Sequence, residues 1–212
     1  MKKIGGLQKR WLLNTAGVIF ALGMVCVIII TLAFSGYYYS SMESDLRYRA
    51  ANTTEFFADY MNQNYKEYYQ SCIQYANNFE LKDRIELQFI DARGELVASS
   101  YGTWAGESPT TSDIQSAIRN RKIDSYVGND PRTGEGIIAV SSPMIYSSGE
   151  IIGVLRYVTS TKNLDMQILF ILFIALLALG VIMAVVLISS NYYVRSIIVP
   201  IGQITEKAKR IA

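Results

Sequence analysis

Apolar residues run without a charged interruption from Trp11 to Phe34 and again from Met166 to Ser190, and polar and apolar positions alternate between the two runs. As helices rising ~1.5 Å per residue, both runs are long enough to cross a hydrocarbon core ~30 Å thick. The pattern then turns amphipathic. No Gly or Pro occurs from Tyr37 to Asn78. Met42, Leu46, Ala50, Thr53, Phe57, Met61, Tyr65, Tyr68, Cys72, Ala76 and Phe79 follow one another at steps of three and four. That spacing predicts one amphipathic helix, ~60 Å long, with the first apolar run continuing into it.

Beyond Phe79 the period falls to two. Ile85 to Asp91 reads as a strand, Ala92-Arg93-Gly94-Glu95 as a turn, and Leu96 to Ser100 as the returning strand. Gly102 to Thr111 has loop composition. Ser112 is placed to cap a short helix through Ile114 to Arg119, with Asp113 in its first turn. Strands are predicted at Ile123 to Val127, Gly136 to Tyr146 and Ile151 to Ser160, parted by Asn129 to Gly134 and Ser147 to Glu150. The implied fold is α+β, a five-stranded antiparallel sheet backed by the long helix.

Charge sets a direction. Lys2, Lys3, Lys9 and Arg10 give the N-terminal tail +4, and Arg195, Lys207, Lys209 and Arg210 against Glu206 give the C-terminal tail +3. The net charge of +2 therefore leaves −5 for the segment between the apolar runs. Basic flanks stay cytoplasmic, so both termini are expected inside and the middle segment outside. The first run is read as an anchor, not a cleaved signal, because it exceeds a signal core of about 7–15 residues and no small-x-small site follows. Tyr37, Tyr38 and Tyr39, with Trp11, Tyr192 and Tyr193, supply interfacial aromatics. The positive excess faces anionic lipid, which gives no reason to expect nucleic acid as a partner. Cys26 lies in the first apolar run and Cys72 outside it, so they are not expected to pair. Cys72 reads as a small helix-face residue, with an intermolecular cross-link as the alternative. The chain has no histidine, which removes His-based zinc sites and Ser-His-Asp triads. Asp124, Asp130 and Glu135 near the third strand could together bind a cation, but they read as a solvated acidic loop, so no metal site is expected.

The segments FIDARGELVASS and IIAVSSPMIYSSGEIIGVLRYVTS resemble extracellular single Cache (PAS-like) sensor domains of bacterial receptors. The matching features are Asp91 and Gly94 in the first hairpin, Ser141-Ser142-Pro143 before the last hairpin, and Gly149 to Leu155 entering the last strand. The resemblance covers residues 37 to 163. It implies an unidentified extracellular small molecule held between sheet and loops. Arg156, Tyr126, Tyr146, Ser141, Tyr101 and Trp104 are the candidate ligand-binding residues. Arg156 is a natural carboxylate clamp, and the aromatic rings would wall the pocket. An Arg on a solvated strand face and Tyr placed by strand packing are the competing readings.

At the C-terminal end Ile197, Ile201, Ile204, Ala208 and Ile211 are spaced four, three, four and three, a heptad seam that equally suits a membrane-surface helix. Arg195 followed by Pro200-Ile201, with Ile204, Ala208 and Ile211 after it, resembles the first helix of a HAMP linker. These six, Pro200, Ile197, Ile201, Ile204, Ala208 and Ile211, are the candidate signal-relay residues. Half a HAMP domain cannot close its bundle, so further sequence is expected beyond Ala212. The resulting division is a cytoplasmic tail (1–10), a membrane helix (11–34), a Cache/PAS-like sensor (35–165), a second membrane helix (166–190) and a HAMP helix (191–212). This organisation resembles the input half of a homodimeric sensor histidine kinase in the bacterial plasma membrane, with a phosphorelay output. The same input half also serves chemotaxis receptors and cyclases. A membrane-anchored binding protein without output is the reading from another class. The resemblance implies no cofactor for this segment. ATP, Mg and a response regulator would belong to a kinase module, and without histidine this segment cannot be the phosphorylated one.

Overall fold

The computed structural model describes residues 3–60, 65–102, 108–146, 148–193 and 196. They form two compact units. One is residues 1–35 with 167–212, and the other is Gly36–Met166. Of the relay residues, Pro200, Ile197, Ile201, Ile204, Ala208 and Ile211 all lie outside the described residues, as does Trp104.

The first unit is built from the apolar stretches of helices α1 (Lys3–Tyr60) and α4 (Lys162–Tyr193). Both helices are long and apolar enough to cross a membrane. Their described Leu, Ile, Val and Phe side chains are mostly exposed. The helices meet at Gly23, where an added Cβ would stand 2.3 Å from Leu179 Cδ1. A small residue there lets the two backbones approach.

The second unit is α+β, in the order α1, α2 (Tyr65–Asn77), β1 (Ile85–Asp91), β2 (Leu96–Ser99), α3 (Ser112–Asn120), β3 (Asp124–Asn129), β4 (Gly136–Ile145), β5 (Ile151–Ser160) and the start of α4. All four strand pairings are antiparallel, in the spatial order β2-β1-β5-β4-β3. The last strand in sequence is thus central. The first hairpin turn follows its turn chemistry. Asp91 Oδ1 accepts the amides of Arg93 and Glu95 at 2.9 Å, and Gly94 takes φ 88°, a conformation open to glycine. Gly153 in β5 has a different reason to be small, since a Cβ would lie 2.3 Å from the Ile90 carbonyl oxygen.

The expected single long helix is two helices. Phe57 and Tyr75 would be ~27 Å apart along one straight helix. Their rings are instead 5.1 Å apart, edge to face, and both pack on Phe89 of β1. The reason is burial. An amphipathic helix ~60 Å long overhangs a sheet of four- to ten-residue strands, whereas two shorter helices lay both apolar stripes on it. Leu46, Ala50, Phe57, Tyr68, Cys72 and Ala76 accordingly share one core with Leu87, Phe89, Val140, Leu155 and Tyr157. Cys72 is fully buried there and is not placed to cross-link a second chain.

Phe57→Ala should cost ~3–5 kcal/mol of stability, whereas Tyr48→Ala on exposed α1 surface should stay within ~0.5 kcal/mol. Denaturant midpoints of the two variants would check the helix pairing. Burial pushes the Cys72 thiol from its ordinary 9.0 to about 12 and the Tyr157 phenol from 10.0 to about 12. The folded chain therefore holds two protons that the unfolded chain releases. Their contribution should be complete below about pH 9 and fall away as pH rises toward 12, read as a dropping unfolding midpoint. At neutral pH Cys72 should resist maleimide until the chain unfolds.

Candidate functional site

Cross-strand partners share a sheet face, and one row of partners crosses all five strands as Ser99, Gln88, Arg156, Ser141 and Asp124. Every member is polar. The row lies on the face opposite α1 and α2, the face that receives α3. Apolar groups flank it on both sides, with Ile90, Val154 and Ile114 at one and Ile137, Ala139, Val158 and half-buried Tyr126 at the other.

Arg156 is the centre of the row. It is the only basic residue in the five strands and is 1% exposed. Its Nε donates to Asp113 Oδ2 at 2.8 Å, Nη1 to Gln88 Oε1 at 2.9 Å, and Nη2 to Thr111 Oγ1 at 2.7 Å. Ser141 donates its hydroxyl to the same Asp113 oxygen at 2.7 Å. Asp113 is wholly buried, and its Oδ1 has no hydrogen-bond partner. The row continues outward through Glu86, whose Oε1 accepts from Gln88 Nε2 at 2.8 Å and from Ser99 Oγ at 2.6 Å.

The network explains how α3 begins. Thr111, not Ser112, occupies the cap position, with extended φ −72° and ψ 154°. It makes no capping hydrogen bond, because its hydroxyl is engaged by Arg156. Asp113 still sits in the first turn, where the helix dipole favours an acid, but its side chain turns inward to the guanidinium. A cleft of about 490 Å³ runs between the first hairpin turn and α3, with Thr111 and Ile114 in its wall.

The sequence-predicted residues separate in space. Arg156 and Ser141 meet through Asp113. Tyr126 is on the same face one row away, but its hydroxyl donates to the Asn129 carbonyl at 2.9 Å. Tyr146 packs against the α1–α2 core on the opposite side of the sheet, so it cannot line a pocket with the other four. Tyr101 follows β2 and is 54% exposed. Its phenol pKa is raised, first by burial of its inner part and then by the charges of Glu86, Glu135 and Asp83. Asp130, weighed as part of a loop cation site, pairs with Arg132 at 2.9 Å. Burial pushes its carboxyl pKa up, but the bonds from Arg132 and the charge of Arg156 outweigh that and hold it below the usual range.

No protein-family model matches the chain, and no curated protein matches it. Solved sensory domains do resemble it. The ligand-binding domain of the Pseudomonas aeruginosa amino acid chemoreceptor PctC, in complex with GABA, is similar over 64% of this chain and 60% of that one, at 16% identity and TM-score 0.47. The sensory domain of the Campylobacter jejuni chemoreceptor Tlp3, with isoleucine bound, is similar over 77% and 65%, at 14% identity and TM-score 0.49. The Vibrio cholerae histidine kinase DctB sensor domain is similar over 75% and 60%, at 16% identity and TM-score 0.38. This chain spans less than two thirds of the length of each. The neighbours are sensor domains of chemoreceptors and histidine kinases alike. At these scores, what the site does must be argued from its own residues.

Asp113, Thr111 and Gln88 were not among the candidates. A usable signal exists for Asp113. It is four residues from Ala117 and adjacent to Ile114, both buried, so helical periodicity puts it on the inward face of α3. A buried acid needs a cation, and Arg156 is the only one the strands offer. Arg156→Met should cost ~3–5 kcal/mol because it strands the Asp113 charge, whereas Arg156→Met with Asp113→Leu should recover most of that loss. Denaturant midpoints across the double-mutant cycle measure the coupling.

Proposed function

We propose that the chain is the input segment of a transmembrane signal sensor in a two-component phosphorelay. Its α+β domain stands outside the bacterial cell, and both termini are cytoplasmic. The observation that carries this reading is the route out of the site. Arg156 lies on the central strand β5, and only Thr161 separates β5 from the apolar helix α4. A change in how the Arg156 network is held therefore acts on the strand that leads into that helix.

The junction is tied down. The Thr161 amide donates to the Gly136 carbonyl at 2.8 Å, and the Thr161 hydroxyl donates to Asp165 Oδ2 at 3.0 Å. Tyr39 of α1 donates its hydroxyl to Asp165 Oδ1 at 2.6 Å. That bond raises the Tyr39 pKa, with partial burial adding to it, so the phenol stays protonated and the link persists across physiological pH. The base of the domain thus joins the start of α4 to α1. An extracellular small molecule that binds two arrangements of this junction unequally would bias them, with a coupling of typically ~1–3 kcal/mol. Neighbouring sensor domains bound to GABA and isoleucine supply the example of small ligands. The Ile197–Ile211 seam is the proposed receiver, as the first helix of a parallel HAMP dimer whose output is a histidine kinase module.

Two measurements test the proposal. With Cys26→Ser as background, a cysteine at Ser148 should react with an impermeant maleimide in intact cells, and one at Lys207 only after permeabilisation. With a histidine kinase module fused after Ala212, Tyr39→Phe should shift basal autophosphorylation about fivefold for ~1 kcal/mol of lost hydrogen bonding. Ile204→Asp should uncouple output from the domain. Unchanged output in both variants would sink the relay.

A further inference from the structure

The helical side of the outer domain carries a groove that the Arg156 row does not use. It opens where the end of α1 lies beside α2, with a volume of about 250 Å³. Buried Phe57 and half-buried Tyr75 make its floor, and both belong to the core on the far side of the sheet from Arg156. Phe56 stands at its mouth and is 49% exposed. Ser71 and Gln74 of α2, with Asn78 just past its end, form the rim. Gln74 and Asn78 share a backbone bond of 3.1 Å, but their side-chain amides bond nothing among the described residues. The Ser71 hydroxyl donates to the Glu67 carbonyl at 2.8 Å, which leaves its oxygen to accept.

This lining selects by chemistry. No residue described in it is charged. An ionised ligand would give up hydration there and meet no counter-charge. Each amide carries two donors and an acceptor oxygen, so it pairs best with a group that both donates and accepts, the hydroxyl. The aromatic wall asks for the opposite, an apolar face, and the electron-rich face of a ring attracts polarised C–H bonds. A pyranose sugar meets both demands, with C–H groups on one face, hydroxyls around its edge and no charge. The volume is just below the range of sites for drug-sized ligands, which suits a single ring.

We propose that this groove is a binding site for a neutral saccharide, stacked on Phe56 and held at its edge by Gln74 and Asn78. It is separate from the Arg156 row and does not rest on the sensor reading. Its floor does reach the sheet. The Phe57 and Tyr75 rings lie 5.2 and 6.4 Å from that of Phe89 in β1, the strand that pairs with β5.

The test titrates the full chain in lipid nanodiscs by calorimetry. The probes are the methyl glycosides of glucose, galactose and mannose, and N-acetylglucosamine. Glucuronate and glucosamine supply a like ring with a negative or a positive charge, and indole supplies an apolar one. At least one neutral sugar should bind saturably, tenfold or more tightly than the charged rings and indole. Magnetisation transferred from the aromatic protons of the protein should reach its C–H protons. Phe56→Ala should weaken that binding tenfold or more. Gln74→Ala with Asn78→Ala should do the same at exposed positions to which the fold is insensitive. Tyr48→Ala, which removes an exposed aromatic elsewhere on α1, should bind as the wild type does. If Phe56→Ala fails to fold, the amide pair and the ligand comparison decide. The saccharide site is overturned by no saturable binding of any of the four neutral sugars, or by charged rings or indole binding as tightly. Unchanged affinity in both groove variants, or an equal loss in Tyr48→Ala, would also overturn it. The kinase-fusion assay reports on the sensor reading independently of these results.

Discussion

A positive charge in the middle strand of a five-stranded sheet is the constraint around which the outer domain is arranged. Moving a guanidinium out of water costs several kcal/mol, and the cost is met only by a nearby anion with every remaining donor satisfied. Asp113 supplies the anion, and Gln88 and Thr111 each accept from one of the two terminal nitrogens. These groups come from β1, from α3 and from the residue that caps it. One side chain therefore dictates where α3 begins, which residue of β1 stands opposite Arg156, and which loop position abandons helix capping. Ser141 adds β4 to the set. The pair need not add net stability over an apolar substitute. What it specifies is register, because a one-residue slip of any of these strands would turn its polar member into the opposite, apolar core.

The two faces of β5 divide the labour. Arg156 points to the polar row, and its neighbour Tyr157 points to the core shared with α1 and α2. That core is apolar and aromatic. Phe57, Tyr75 and Phe89 stack edge to face at 5.1–6.4 Å and join α1, α2 and β1 into one packed layer. Such packing tolerates few arrangements. The α3 face is held by fewer apolar contacts and by hydrogen bonds that a polar ligand can exchange with. A rigid layer behind and a hydrogen-bonded layer in front is the construction that the proposed sensor would require.

Much of this was legible from residue order alone, where local chemistry decides. β1 and β5 have the bounds their patterning predicts, and the Asp91–Gly94 turn marks the end of β1. The end of the long helix was not legible from periodicity. The three- and four-residue steps continue across Met61 and Tyr65, and only the polar run Asn62-Gln63-Asn64 hints that one helix becomes two. The candidate site was legible by half. Arg156 and Ser141 stand out as polar residues in apolar strands, yet their link is Asp113, 28 residues before Ser141. Tyr146 shows the opposite failure. Its chemistry suited a pocket, but it follows β4 beyond the irregularity at Met144/Ile145 and packs against the α1–α2 core, a placement that strand alternation alone does not give.

Parity also bears on how a signal would leave such a domain. β5 is hydrogen-bonded along its length to β1 and β4, from Ile85–Thr159 to Asp91–Gly153 on one side and from Ile137–Ser160 to Ile145–Ile151 on the other. Sliding it by one residue would break both ladders and invert its faces, a change far costlier than the few kcal/mol that ligands supply. Small tilts of the strand with its neighbours preserve both ladders and are affordable. The contacts most sensitive to tilt are those at its end, where Thr161 meets Gly136 at such close range that a Cβ on Gly136 would lie 2.5 Å from the threonine hydroxyl. Asp165, one helical turn later, holds Tyr39 of α1. A tilt that lengthens the 2.6 Å Tyr39–Asp165 bond by about 1 Å would take it beyond hydrogen-bonding range, so in the proposed relay a movement of that size would break the tie at the start of α4.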